Sequence, residues 1–140
     1  MSEESTTPDL VELTRRAIES VGHRDLDAGM SMYGPDSVWD VSAMGIGVYT
    51  GVARIRREME SWIGAFGNLE VQIEEIPDLG NETTFSVVAQ SGCPVGSSGK
   101  VHMRFASITQ WADQIIVRVT AYTNIDEARA AAERLAEERV

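Results

Sequence analysis

Asp40 is the side chain in this sequence best set to move a proton. It closes the stretch Val38-Trp39-Asp40 and is followed by Val41, so its neighbours in the chain are apolar. A carboxylate among apolar groups loses hydration, which raises its pKa and makes it a general base or acid near neutrality. The plain alternative is a carboxylate that ends a strand and accepts the backbone N–H groups of the loop from Ser42. Tyr33 and Ser107 are the polar groups best suited to assist, and Tyr49 is a further candidate.

Other chemistries lack their residues. Cys93 is the sole cysteine and His23 and His102 are the only histidines. No disulfide, multi-cysteine zinc site or paired acid–histidine ligand set can be written, so no metal and no cofactor is expected. His23 follows the first helix, where an imidazolium faces the negative helix end and acts as a cap. Gly45-Ile46-Gly47 and Gly96-Ser97-Ser98-Gly99-Lys100 lack the full spacing of phosphate loops, and the second opens a strand instead of a helix.

The elements that position these residues follow from periodicity. Thr7-Pro8-Asp9 reads as an N-cap, a first-turn proline and a first-turn acid. Leu10, Leu13, Thr14, Ala17, Ile18 and Val21 then recur at helical spacing up to Gly22. Asp25 caps a short second helix from Leu26 to Tyr33, which Gly34-Pro35 breaks before a strand from Ser37 to Val41. After a glycine-containing loop from Ser42 to Gly51, Ile55, Met59, Trp62, Ile63 and Phe66 mark one face of a third helix.

From Leu69 the period becomes two, which predicts strands over Leu69 to Ile76, Thr83 to Ser91, Lys100 to Trp111 and Ile115 to Thr123, paired as an antiparallel meander. Asn124 with Glu127 begins a last helix. The predicted order is α-α-β-α-β-β-β-β-α, one α+β domain over residues 1–140 with an ordered core at about 8–138.

Alternation places Met103, Phe105 and Ser107 on one face and His102, Arg104, Ala106 and Ile108 on the other; Val117, Val119 and Ala121 oppose Arg118 and Tyr122. The apolar sets, with Thr123 at the strand end and Met59 and Trp62 on the third helix, are expected to line a pocket or fill a core. The polar set is expected on the outer sheet face, where a second subunit can pack, so a homodimer is the default partner.

Composition narrows the partners. Of the 140 residues, 43% are hydrophobic and 24% charged, as in ordinary folded domains. Twelve Lys and Arg against twenty-two Asp and Glu give a net charge of −10, which disfavours nucleic acid and anionic membranes. No apolar run suits a membrane helix and the N-terminus lacks signal-peptide character, so a cytoplasmic location is expected.

Three pieces in order, Asp25-Leu26-Asp27-Ala28, Met32 through Asp40, and Gly51 with Ile55-Arg56, resemble the opening of the SnoaL-like branch of the nuclear-transport-factor-2-like (NTF2-like) superfamily. The strand from Ile115 to Tyr122 followed by Asp126-Glu127-Ala128 is similar to its close, so the resemblance runs from Leu10 to Leu135. It implies a cone: a curved, mainly antiparallel sheet wrapped around N-terminal helices, with an apolar pocket between them and often a dimer.

It also implies a small-molecule protein, either a cofactor-independent isomerase, cyclase or hydrolase using Asp40, or a non-catalytic dimeric binding module with a filled pocket. Asp40 falls where ketosteroid isomerases of this fold carry their proton shuttle. Their two oxyanion donors fall on Ala17 and Ser107, which argues against steroid isomerisation. Epoxide hydrolases of this fold use an Asp-Arg-Asp set, for which Arg104 or Arg118 would have to face inward beside Asp40.

Overall fold

The computed structural model describes residues 9–139. Four helices and seven strands follow in the order α1 (Leu10–Gly22), α2 (Leu26–Met30), β1 (Tyr33–Asp40), a 3-10 turn (Ser42–Met44), β2 (Val48–Thr50), α3 (Val52–Gly64), β3 (Phe66–Glu75), β4 (Asp78–Gly80), β5 (Thr83–Pro94), β6 (Val101–Ala112), β7 (Ile115–Tyr122) and α4 (Ile125–Glu138). Among the described residues no helix is long and apolar enough to cross a membrane.

Side-chain caps set the helix starts. Asp9 accepts the Glu12 N–H at 3.2 Å, Asp25 that of Ala28 at 3.4 Å, and Asn124 that of Glu127 at 2.9 Å. The N-terminal cap is therefore Asp9, with Leu10 as the first helical residue; the expected cap at Thr7 and proline at position 8 lie outside the described residues. The second helix stops at Met30, three residues short of expectation, because Tyr33 already belongs to β1.

The strands form one sheet in the order β2-β1-β7-β6-β5-β3, with β4 paired to β5. From β3 through β5 and β6 to β7 pairing is antiparallel, as the meander requires. The exception is β1, which lies parallel to β7. Ser37 secures that junction, donating to the Ile116 carbonyl at 2.5 Å while accepting the Gly34 N–H at 2.8 Å. Two short strands, β2 and β4, occupy segments expected as loop and turn.

Both faces of the central strands are covered. Phe85 and Val87 on β5, with Ala106 and Ile108 on β6, pack beneath Ala128, Ala131 and Ala132 of α4. Alanines let the helix approach closely, so a thin apolar stripe suffices. The opposite face of the same strands, carrying Thr84, Ser86, Ser107 and Thr109, turns toward α1. There the Thr14 and Thr84 hydroxyls bond each other at 2.8 Å, both fully buried. A second cluster joins α2 and α3 through Leu26, Met30, Ile55, Met59 and Ile63.

Candidate functional site

Between α1, α3 and the concave face of the sheet lies a cavity of about 120 Å³. Helix α1 contributes Thr14, Ala17, Ile18 and Val21; its Ala17 is too small to fill the space beneath it. Trp39 of β1, Met59 and Trp62 of α3, and Phe105 of β6 supply broad apolar walls. Among the described residues no charged side chain lines it. Among the described residues no cluster of three or more His, Cys, Asp or Glu could hold a metal ion.

The polar groups of the cavity come from alternation on β5 and β6. Ser86 and Ser107 are direct cross-strand partners, and Thr84 pairs in the same way with Thr109. Hydroxyls therefore form a patch on an otherwise apolar surface. Gln90, one further inward position along β5, accepts the Trp62 indole N–H at 3.4 Å. Among the described residues two fully buried side-chain polar atoms are left without a partner, Ser86 Oγ and Trp111 Nε1. Tyr33 is the cavity's only phenol, and burial pushes its pKa well above the ordinary range, so it stays protonated.

Six residues expected at the pocket meet there: Tyr33, Met59, Trp62, Phe105, Ser107 and Val119. Met103 does not. It keeps the inward register of Phe105 but lies beyond the cavity, in a surface depression with Glu70, Gln72 and His102. Tyr49 stands behind the wall, opposite Trp39 across the β1–β2 pair, its ring 6.0 Å from the indole and 5.1 Å from the Arg54 guanidinium. Thr123 is exposed, because β7 ends at Tyr122.

Asp40 is corrected too. The parallel register sets Trp39 beside Val119 and Asp40 beside Thr120. Since Trp39 and Val119 face the cavity, Asp40 takes the other face, where the Arg118 guanidinium pairs with it. Its second oxygen accepts the Ser42 N–H at 3.0 Å and hydroxyl at 2.5 Å. Partial desolvation opposes ionisation, but the Ser42 bonds and the Arg118 charge outweigh it and hold the carboxyl below its usual range. The expected apolar elevation is thus reversed. Arg118 does pair with Asp40, but outside the cone instead of within it.

Sequence reasoning missed Trp111, Ser86, Trp39 and the α1 contributors. For Trp111 the signal was present, since it continues the row Phe105, Ser107, Thr109 by period two. Trp39 was also accessible: a strand cannot turn both Trp39 and Asp40 inward. Ser86 carried no comparable signal within a strand buried on both faces.

The SnoaL-like domain model matches residues 14–119, and the chain belongs to that family. Among solved structures, it is similar to a hypothetical protein with ketosteroid isomerase-like fold from Catenulispora acidiphila, in complex with trimethylamine (16% identity, 91% of this chain and 94% of that chain covered, TM-score 0.72).

It is also similar to an NTF2-like protein of unknown function from Burkholderia pseudomallei (14%, 90% and 98%, 0.72) and to an LEH-like epoxide hydrolase from M. tuberculosis (15%, 89% and 90%, 0.69). Comparison with curated proteins finds no match. At these identities the structures establish the fold alone.

Proposed function

We propose that this chain is a small-molecule-binding protein whose ligand occupies the cavity beneath α1. The observation that carries this reading is an uncharged, mostly apolar cavity of about 120 Å³ at the centre of the cone. A void of that size in a close-packed interior is destabilising, by ~24 cal/mol per Å³, unless something fills it.

The same residues argue against proton abstraction. The one side chain with an acidic proton in the cavity, Tyr33, is held in its neutral form, and Asp40 is ion-paired on the opposite face. Proton abstraction beside a carbonyl needs a base within hydrogen-bond reach, and the cavity supplies donors instead. Binding is therefore favoured over an isomerase or cyclase reaction run by Asp40. The second reading keeps Tyr33 as a general acid that polarises a ligand oxygen, on the strength of its buried, protonated phenol.

A thermal-shift panel of single-ring ketones, aromatics, terpenes, steroids and epoxides tests this. Ligand at 100 times its dissociation constant stabilises by ~2.7 kcal/mol. Compact one-ring compounds should raise the melting temperature, and Asp40→Asn should leave their affinity within a few fold. No response to any member, or affinity lost with Asp40→Asn, would count against it.

A further inference from the structure

Buried polar side chains nearly always have a hydrogen-bond partner, and those that lack one call for an explanation. Two of them, Trp111 Nε1 and Ser86 Oγ, sit on residues that are at most 1% exposed and that line the same cavity. The indole N–H is a donor only, so its complement must be a lone pair. Ser86 faces Ser107 directly across the β5–β6 pair, which adds a second hydroxyl to the same patch. Tyr33 contributes another donor, neutral through burial.

We infer that Trp111 Nε1 and Ser86 Oγ form the polar subsite of this cavity and select a neutral, one-ring ligand bearing a hydrogen-bond acceptor, as in a cyclic ketone. The assignment rests on the binding function proposed above and adds its ligand class. Size allows no more than a single small ring: a cavity of ~150 Å³ holds benzene, and this one, partly open to solvent, measures about 120 Å³. Neutrality follows from the lining, since a buried ion without a counter-charge loses its hydration uncompensated. An anion would find hydroxyl, indole and amide groups but, among the described residues, no cation.

A cationic occupant is the chemical rival. Trp39, Trp62, Trp111, Tyr33 and Phe105 all border the cavity, and aromatic faces attract alkylammonium ions. One fact weighs against it: among the described residues no carboxylate lines the cavity to balance the charge.

The experiment titrates the full chain with cyclohexanone, methylenecyclohexane and tetramethylammonium, following heat and the indole N–H resonances by NMR. Methylenecyclohexane keeps the ring and replaces the oxygen by CH₂. Cyclohexanone should bind at least tenfold more tightly than its hydrocarbon match and shift one indole N–H resonance, which Trp111→Phe removes. Ser86→Ala, which keeps the aromatic wall intact, should independently shrink the ketone's advantage.

Equal affinity of ketone and hydrocarbon with no indole shift would overturn the polar subsite while leaving the binding function standing. Preference for tetramethylammonium would overturn it in favour of an aromatic cation site. Binding of none of the three would remove the binding function itself.

Discussion

Filling the cavity from α1 separates packing from binding in a single variant. Ala17 lines the cavity from mid-helix, and Ala17→Leu extends three carbons toward it while keeping a strong helix former. At ~24 cal/mol per Å³, the void of about 120 Å³ represents ~3 kcal/mol of unrealised packing. Three added carbons recover at most ~2.4 kcal/mol at ~0.8 each. Ordering a leucine side chain returns ~0.5–1 kcal/mol, which leaves a gain of ~1–1.5 kcal/mol after imperfect fit.

Urea denaturation should show the midpoint rising at unchanged slope, the signature of altered stability without altered exposure on unfolding. The thermal response to cyclohexanone should vanish in the same variant, because ligand and leucine compete for one space. Destabilisation beyond ~1 kcal/mol would mean that the wall cannot accept the added volume. A preserved ligand response in a stabilised variant would refute the location of the site.

The Thr14–Thr84 hydroxyl pair yields a double-mutant cycle: Thr84→Val should cost ~1–3 kcal/mol by stranding the Thr14 hydroxyl, whereas the Thr14→Val/Thr84→Val double should cost less than either single, since neither orphan remains. Denaturant melts of the four proteins measure it. Asp40→Asn should cost ~1 kcal/mol at neutral pH, as befits a partly exposed pair. Because the folded carboxyl titrates below its ordinary range, its contribution is present above that range and fades as pH falls toward the folded value. The difference between wild type and variant should therefore shrink on acidification, which melts from pH 7 to pH 3 will reveal.

Much of the fold was readable because local rules and tertiary packing agree. Asp25, Asn124 and Gly22, the last residue of the first helix, announced real helix ends, and the period-two runs became β3, β5, β6 and β7. The short strands β2 and β4 were unreadable: three residues carry no period, and each exists only through a neighbouring strand. Phe105, Ser107 and Val119 reached the cavity because alternation fixes faces within one strand.

Asp40 failed for a different reason. Its face depends on β1 lying parallel to β7, a pairing between segments 78 residues apart at the Asp40–Arg118 contact. Strand alternation says that Trp39 and Asp40 face opposite ways, but not by itself which of the two turns inward. Thr123 was lost by a single residue at a strand end, where boundaries are least determined.

That parallel pairing also sets an order in time. A chain made from its N-terminus exposes Trp39 long before Val119 exists to cover it, and the β1–β7 junction closes only when synthesis has passed the last strand. Hairpins from β5 to β7 can form by local pairing, whereas the cavity's Trp39–Val119 seam waits on a long-range closure. The cavity is thus among the last features to be completed, and an N-terminal fragment ending before β7 carries an incomplete wall.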